Sequence, residues 1–239
     1  MKRALVTGGS GSIGSAICRV LAAQGHHVII HANGNLPRAE ALAAELRSQG
    51  YAAEAVAFDV TNAAACESAL AAIVENGPVQ ILVNNAGIHD DGVFAGMSHA
   101  QWSRVVDVSL NGFFNVTQPL MLPMIRTRWG RIINMSSVAA IAGNRGQVNY
   151  AAAKGALQSA TRALSLEVAS RGITVNAVAP GIITSEMTEG VFDRETIERM
   201  VPVKRAGTAE EVAALVGFLG SDAAAYITGQ IISINGGMI

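Results

Sequence analysis

The feature that most limits the fold of this 239-residue chain is an alternation of short, β-branched apolar runs with longer, alanine-rich helical stretches. Strands are predicted at Ala4–Thr7, Val28–His31, Ala55–Phe58, Ile81–Asn84, Arg131–Met135, Thr174–Val178 and Ile231–Ile234. Helices are predicted at Ile13–Ala23, Arg38–Ser48, Ala63–Glu75, Ser98–Met124, Tyr150–Ser170 and Ala209–Leu219. The strands are almost wholly apolar, which is typical of a parallel sheet covered on both faces. The pattern therefore predicts an α/β protein with a doubly wound, seven-stranded parallel sheet and helices on both faces.

The chain contains no segment that resembles a linker between two domains. Its glycine and proline clusters lie at single turns, so residues 1–239 are predicted to form a single domain. One irregular region, at about residues 185–205, follows the sixth strand and interrupts the alternation. Because α/β proteins place ligand-covering segments at the carboxyl ends of strands, this region is predicted to be a substrate lid.

Composition excludes several classes of protein. Hydrophobic residues make up 50% of the chain and charged residues 15%, so it can bury enough surface to fold and is not disordered. The net charge of −1 gives no overall field that would favour nucleic acid. Cys18, Cys66 and the five histidines have no spacing that indicates a metal site or a disulfide scaffold. Since no apolar run is long enough to span a membrane, a cytoplasmic protein is expected.

A glycine-rich turn directly follows the first strand and opens the first helix. Gly9, Gly11 and Gly14 satisfy the pattern GxGxxG. Such glycines let the backbone turn tightly and approach a pyrophosphate, and the helix N-terminus offers unpaired N–H groups and the positive end of a dipole. The alternative is a tight turn without a ligand. The strand–turn–helix context favours a dinucleotide-binding site.

The end of the second strand bears on the choice of dinucleotide. Enzymes of this fold select NAD with an acidic residue at that place, but here the strand ends in Ile30–Asn33 with no carboxylate. The absence of the acid removes a repulsion against a 2′-phosphate, and Arg38 is the nearest cation. NADP(H) is therefore predicted, with NAD(H) as the less favoured alternative.

Tyr150 and Lys154 form the most informative pair of residues in the chain. Four residues apart at the start of a predicted helix, they lie on one helix face. A neighbouring ammonium favours the phenolate, which makes a tyrosine with an ordinary pKa of about 10 a usable general acid/base. Ser137, at the end of the fifth strand, is able to bind a substrate carbonyl oxygen beside the phenol. The alternatives are a packed tyrosine with a solvated lysine, and a serine that caps a turn.

The ordered motifs resemble the short-chain dehydrogenase/reductase superfamily and, within it, the bacterial 3-oxoacyl-[acyl-carrier-protein] reductases. The resemblance covers essentially the whole chain. It rests on Thr7–Gly14, Asp59-Val60, Asn84–Gly87, Asn111, Ser137, Tyr150, Lys154, Pro180-Gly181, Thr184, Tyr226–Gln230 and Asn235–Gly237. The glycine turn departs from the family pattern, because Ser12 occupies the middle glycine position and Gly11 replaces a basic residue that often contacts NADP.

The resemblance implies an oxidoreductase that uses NADPH to reduce a 3-oxoacyl thioester, bound to acyl carrier protein, to the 3-hydroxyacyl thioester. Tyr150 would donate the proton as hydride arrives from the nicotinamide. Lys154 would lower the pKa of the phenol and hold the nicotinamide ribose. Ser137 would orient the carbonyl, and Asn111 would anchor a water in a proton relay to Lys154.

The resemblance also implies a set of cofactor-binding residues and no metal. Asp59 and Val60 would line the adenine pocket, whereas Ile182 and Thr184 would meet the nicotinamide. The full set is Gly8, Ser10, Ser12, Ile13, Gly14, Asn33, Arg38, Asp59, Val60, Asn85, Ala86, Gly87, Tyr150, Lys154, Pro180, Gly181, Ile182 and Thr184.

Partners and substrate are expectations of the same resemblance. Arg128 and Arg171 match arginines that dock an acidic carrier protein, although solvated arginines remain an alternative. Many relatives are homotetramers, so a homotetramer is expected. The predicted lid supplies apolar residues suited to an acyl chain: Met187, Val191, Phe192 and Met200. Two alternatives stay open, namely another ketone/alcohol pair (acyl-CoA, polyketide or sugar alcohol) and a nucleotide sensor without turnover, which the intact catalytic set disfavours.

Overall fold

The computed structural model describes residues 1–184 and 193–239. The strands are β1 (Arg3–Val6), β2 (His27–Ala32), β3 (Ala53–Ala57), β4 (Ile81–Asn84), β5 (Gly130–Met135), β6 (Ile173–Pro180) and β7 (Ile231–Ile234). The helices are α1 (Ser12–Ala23), α2 (Leu36–Ser48), α3 (Ala63–Glu75), α4 (His99–Val106), α5 (Gly112–Thr127), α6 (Ala139–Ala142), α7 (Val148–Val168), α8 (Arg194–Met200) and α9 (Ala209–Leu219). None of the helices in these two ranges is long and apolar enough to cross a membrane.

The seven strands form one parallel sheet in the order β3-β2-β1-β4-β5-β6-β7. The chain moves outward in one direction from β1 to β3 and then returns to place β4 on the other side of β1. This reversal is a topological switch point, and ligands of open α/β sheets bind outside the carboxyl ends of the strands there. The predicted doubly wound sheet is confirmed.

Each face of the sheet carries its own apolar layer. Val28 and Ile30 of β2 pack into the layer that includes α1, α2 and α9, whereas Ile29 between them packs into the layer beneath α3 and α5. Val28, Ile29 and Ile30 are all fully buried. This explains why the strands are apolar at every position: alternate side chains point to opposite faces, and both faces are covered.

The prediction of a single long helix at Ser98–Met124 is wrong. The structure has α4, then a π-helical turn at Asp107–Asn111, and then α5, which continues to Thr127. A helical apolar pattern runs on through such a turn, so periodicity alone does not reveal it. The turn leads into Gly112, where a Cβ would lie 2.9 Å from Cγ2 of Val60. The start of α5 therefore packs closely against the connection that follows β3.

The predicted lid at about 185–205 lies partly outside the described residues, as do Met187, Val191 and Phe192. Its described part is α8, which is capped by Asp193, whose Oδ1 accepts a hydrogen bond from Thr196 N at 2.7 Å. The base of the segment is held by a short parallel bridge, in which Thr184 N donates to Gly207 O at 2.9 Å. Met200 is exposed. The lid stays a prediction.

Candidate active site

The sheet brings most of the predicted site residues to one edge. The glycine turn follows β1, Asn85–Gly87 follow β4, Ser137 follows β5, and Pro180–Thr184 end or follow β6. Because the four strands are neighbours and parallel, their carboxyl ends lie side by side. Asp59 and Asn33 follow β3 and β2 at the same edge.

The glycines of the first turn are required for different reasons. Gly8 has φ +61°, a conformation that glycine adopts at little cost. A Cβ on Gly14 would clash with the carbonyl oxygen of Gly8 and lie 2.8 Å from Cα of Gly9. Around Gly11 there is more room, since the nearest atom to a Cβ there would be 3.4 Å away. Tight packing of α1 on the turn thus depends on Gly14.

The first turn is fastened to the segment after β4. Asn85 Nδ2 donates to the carbonyl oxygens of Thr7, at 2.9 Å, and of Gly8, at 3.1 Å. Thr7 Oγ1 in return accepts from the backbone N–H groups of Asn85 and Ala86 at 3.0 and 2.9 Å. Thr7 was not among the predicted site residues. The sequence feature that could have identified Thr7 is its hydroxyl at the end of an otherwise apolar strand.

The beginning of α1 fits a dinucleotide pyrophosphate. Its N-cap is Gly11, and within the described residues no side chain caps the helix. The first backbone N–H groups, on Ser12, Ile13 and Gly14, therefore remain available, and the helix dipole adds partial positive charge. Gly8 and Ser10 complete the turn around them. These residues would hold the pyrophosphate.

Of the residues predicted to contact the adenosine end of the dinucleotide, one is buried in the fold and the others are exposed. Val60 is buried, and its carbonyl oxygen accepts from Asn115 Nδ2 at 2.9 Å. Asp59 is exposed and caps the turn into α3, since its Oδ1 accepts from Thr61 N at 2.8 Å. Asn33 and Arg38 are both exposed, at the end of β2 and the start of α2. They flank the place at which the sequence predicts that NADP is distinguished from NAD.

The segment after β6 forms the other end of the site. Pro180 ends the strand, and its carbonyl oxygen accepts from Val138 N at 2.9 Å. Gly181 N donates to Ile234 O at 2.9 Å, and a Cβ on Gly181 would lie 2.8 Å from Cα of Asn235. Ile182 and Thr184 follow, both tied to Gly207 through backbone hydrogen bonds.

The structure places the Ser137 hydroxyl beside the phenol of Tyr150. Burial raises the pKa of Tyr150, the neighbouring Ser137 hydroxyl lowers it, and the charge of Asp91 raises it; the net shift is upward. This direction is opposite to the lowered phenol pKa that the resemblance implies, because burial dominates. A raised pKa keeps the phenol protonated at neutral pH, which suits a proton donor.

Lys154 is buried beside this pair. Its Nζ donates to the carbonyl oxygen of Met135 at 2.9 Å and lies 5.7 Å from the ring centroid of Tyr150. Burial lowers the pKa of Lys154 to about 8. A Cβ on Gly87 would lie only 3.0 Å from Nζ, so Gly87 leaves the space that the ammonium occupies.

Asn149 positions the start of α7, a role that was not predicted from the sequence. It is fully buried, and its Nδ2 donates to the carbonyl oxygens of Asp90 at 2.9 Å and Gln101 at 3.2 Å. Its Oδ1 accepts from Tyr150 N at 2.8 Å. Asn149 thus holds α7 against the loop after β4 and against α4. Only long-range contacts reveal this function.

Ser136 and Asn111 have surroundings that differ from those of the pair. Ser136 is buried, and its Oγ donates to the carbonyl oxygen of Lys154 at 3.1 Å while accepting from Gln158 Nε2 at 3.0 Å.

Asn111 lies in the π-helical turn, is exposed, and donates from Nδ2 to Asp107 Oδ1 at 2.7 Å. The predicted relay through Asn111 stays a prediction.

Arg128 and Arg171 lie side by side but far from this edge. Both are exposed and precede β5 and β6, and Arg128 Nη2 donates to Ser170 O at 3.4 Å. They therefore belong to the amino-terminal edge of the sheet. Since β6 has eight residues, that edge is about 26 Å from the carboxyl ends.

Among the residues that the structure describes, no group of three or more His, Cys, Asp or Glu side chains is arranged to hold a metal ion.

Comparisons with known proteins agree with this geometry. A family model described as enoyl-(acyl carrier protein) reductase matches residues 8–239. The 3-oxoacyl-[acyl-carrier-protein] reductase FabG of Aggregatibacter actinomycetemcomitans is 42% identical over 236 residues, 98% of each chain. Nodulation protein G of Rhizobium sp. (strain N33) is 46% identical over 99% of this chain and 96% of its own. The acetoacetyl-CoA reductase of Rhizobium meliloti (strain 1021) is 46% identical over 98% of this chain and 97% of its own.

The matches span nearly the whole sheet, from the glycine turn to the last strand. The family implies a nicotinamide cofactor, and the glycine turn and the open start of α1 fit its pyrophosphate. The Ser137–Tyr150 pair with the buried Lys154 has the groups that the proton chemistry of a carbonyl reductase would need. The chain therefore belongs to the short-chain dehydrogenase/reductase family and is a short-chain oxidoreductase.

Proposed function

We propose that the protein uses NADPH to reduce a 3-oxoacyl thioester, carried by acyl carrier protein, to the 3-hydroxyacyl thioester. The observation that carries the proposal is the placement of the Ser137 and Tyr150 hydroxyls side by side next to a buried lysine, at the edge where the dinucleotide would bind. Relatives named as a 3-oxoacyl-[acyl-carrier-protein] reductase and as an acetoacetyl-CoA reductase act on substrates that share this chemistry.

Each residue has a distinct part in the proposed reaction. The bound nicotinamide supplies the hydride, and the protein supplies orientation and the proton. Ser137 and Tyr150 both direct a hydroxyl at the substrate carbonyl oxygen, which fixes its position and stabilises the developing oxyanion. Tyr150 then transfers its phenolic proton to that oxygen. The Lys154 ammonium stabilises the resulting phenolate and would hold the nicotinamide ribose.

The preference for NADPH rests on the end of β2. Asn33 brings no carboxylate to this place, and Arg38 at the start of α2 supplies positive charge nearby. An NADPH-against-NADH comparison of kcat/KM tests the preference directly. We expect NADPH to be favoured, and the preference to fall in Arg38→Ala. Equal use of both cofactors by the wild-type protein would contradict the proposal.

The carrier and the expected homotetramer are linked by the position of the two arginines. A carrier docked at Arg128 and Arg171 of one chain sits at the wrong edge of the sheet to serve that chain's own Tyr150. We therefore propose that the arginines of one subunit dock the carrier and that it delivers the acyl group to the site of a neighbouring subunit. Charged surface residues of this kind act mainly on encounter and orientation.

Mixed oligomers test this arrangement. One chain carries Tyr150→Phe with both arginines intact, and the other carries Arg128→Ala and Arg171→Ala with Tyr150 intact. If delivery crosses between subunits, co-expressed mixtures reduce carrier-bound acetoacetate faster than the two separate variants together. No gain over that sum, or a protein that is monomeric in solution, would overturn the proposal. Acetoacetyl-pantetheine, which needs no docking, is the control substrate.

A coenzyme A thioester is the second candidate substrate, because the relative named as an acetoacetyl-CoA reductase is 46% identical to this chain. A panel of acetoacetyl-carrier, acetoacetyl-CoA and crotonyl-CoA thioesters separates the possibilities. We expect the highest kcat/KM with the carrier-bound substrate. The crotonyl thioester tests the enoyl reduction that the family description names, and preferred turnover of it would contradict ketone reduction.

A further inference from the structure

His31 is a buried histidine in the middle of an apolar strand, and the proposed chemistry does not use it. It is 1% exposed and lies on β2, directly behind the glycine turn. Its Nδ1 accepts a hydrogen bond from Gly8 N at 3.0 Å, and its own carbonyl oxygen accepts from Gly9 N at 2.8 Å. His31 therefore holds two consecutive amides of the turn that would bind the pyrophosphate.

The other ring nitrogen reaches the adenosine side of the site. Nε2 lies 2.8 Å from the carbonyl oxygen of Phe58, the residue that precedes Asp59 and Val60. The rings of His31 and Phe58 are 4.1 Å apart between centroids. One imidazole thus spans two segments, the turn after β1 and the connection after β3, on which the two ends of an adenosine diphosphate moiety would rest.

The two hydrogen bonds define one protonation state. A backbone N–H only donates, so Nδ1 must be the acceptor toward Gly8. A carbonyl oxygen only accepts, so Nε2 must carry the hydrogen that is donated to Phe58. Both bonds exist together only in the neutral ring with hydrogen on Nε2. Protonation of Nδ1 would place two N–H groups against each other.

We propose that neutral His31 is a positioning residue for dinucleotide binding, which sets the glycine turn at a fixed distance from the adenine pocket and releases it when the ring is protonated. The inference rests on the nicotinamide cofactor of the family and not on the thioester substrate. The experiment that tests this proposal measures dinucleotide binding. If the proposed substrate proves wrong, the proposal for His31 is therefore unaffected.

The surroundings define the pH range of the effect. Burial lowers the pKa of His31 below its ordinary value of 6.5, while the bond to Phe58 and the charge of Asp59 act in the opposite direction. From α1, Cys18 faces the turn with its Sγ 3.8 Å from Gly9 O, and burial raises the pKa of this thiol, so it stays neutral. We therefore expect affinity for the dinucleotide to fall as the pH decreases below about 6.5.

Two variants separate the two hydrogen bonds. In His31→Asn the amide oxygen takes the place of Nδ1 and still accepts from Gly8, without titrating. In His31→Gln the longer side chain places its amide near Nε2, so that it still donates to Phe58 and loses the contact with Gly8. The dissociation constant of NADP⁺, or of NAD⁺ if that binds more tightly, is measured by calorimetry between pH 5 and 8, alongside thermal unfolding.

The expected result is a difference between the variants that stability does not explain. His31→Gln should weaken binding about 10-fold at pH 7.5, which is the usual effect of losing one buried hydrogen bond. His31→Asn should bind nearly as the wild type does at pH 7.5 and lose less affinity at pH 5.5. Titration of a 2′-phosphate affects all three proteins equally and cancels. Equal affinities for both variants, or an identical pH dependence in wild type and His31→Asn, would overturn the proposal.

Discussion

The ammonium of Lys154 donates a hydrogen bond to the carbonyl oxygen of Met135 at 2.9 Å, which ties α7 to the last residue of β5. Ser137 follows two residues later, and its hydroxyl lies beside Tyr150. The three side chains are thus positioned by one strand end and one helix. Rigid elements of this kind hold reacting groups more accurately than loops do.

Replacing Tyr150 by Phe should abolish the proton transfer and leave cofactor binding intact. We expect turnover to fall at least about 100-fold, the usual effect of removing a general acid. Steady-state kinetics and dinucleotide titration measure the two quantities. Tyr51→Phe, a tyrosine before β3 and far from the site, is the matched control and should keep full activity. Near-wild-type turnover in Tyr150→Phe would disprove the assigned role.

The adjacent serines should respond in opposite ways. Ser137→Ala should lower kcat about 100-fold while changing the unfolding temperature little, because Ser137 directs a hydroxyl to the substrate. Ser136→Ala removes the acceptor of Gln158 and the donor to Lys154 O, so we expect it to destabilise the fold by about 1–3 kcal/mol. Chemical denaturation and kinetics on both variants check this. The reverse pattern would mean that the two roles are exchanged.

Lys154→Met should inactivate the enzyme and change how stability depends on pH. The folded protein holds the Lys154 pKa at about 8, below the ordinary 10.5, so between these values the unfolded chain binds more protons. Raising the pH through this window therefore favours the folded state, and at lower pH the buried charge destabilises it. The variant should lack this rise in stability. Denaturation of both proteins between pH 7 and 10.5 measures it, and parallel curves would show that Lys154 is not perturbed.

Gly14→Ala should disrupt dinucleotide binding much more than Gly11→Ala does. A methyl group on Gly14 meets the Gly8 carbonyl oxygen and lies 2.9 Å from Asn85 Nδ2, so the turn and α1 must separate. Gly11 has extended backbone angles and room for a Cβ. Calorimetric titration with the dinucleotide compares the two variants. Similar losses in both would show that backbone packing at Gly14 is not what shapes the site.

Much of the fold could be predicted because its information is local. Apolar runs at every position identify strands buried on both faces, and the spacing of Tyr150 and Lys154 follows from the helix alone. The glycine turn is recognisable because its strand and helix are adjacent in sequence. The π-helical turn before Gly112 could not be predicted, since it preserves the helical pattern on either side.

The sequence by itself determined the seven strands and most of the helices, the doubly wound class of fold and the residues able to do proton chemistry. Only the tertiary structure decided what each polar side chain contacts: His31 binds Gly8 and Phe58, which are 23 and 27 residues away, and Asn149 binds Asp90, 59 residues away. It also decided that Arg128 and Arg171 lie at the edge opposite Tyr150. Periodicity records which face a residue is on, whereas hydrogen-bond partners and burial arise from contacts between segments that are distant in sequence.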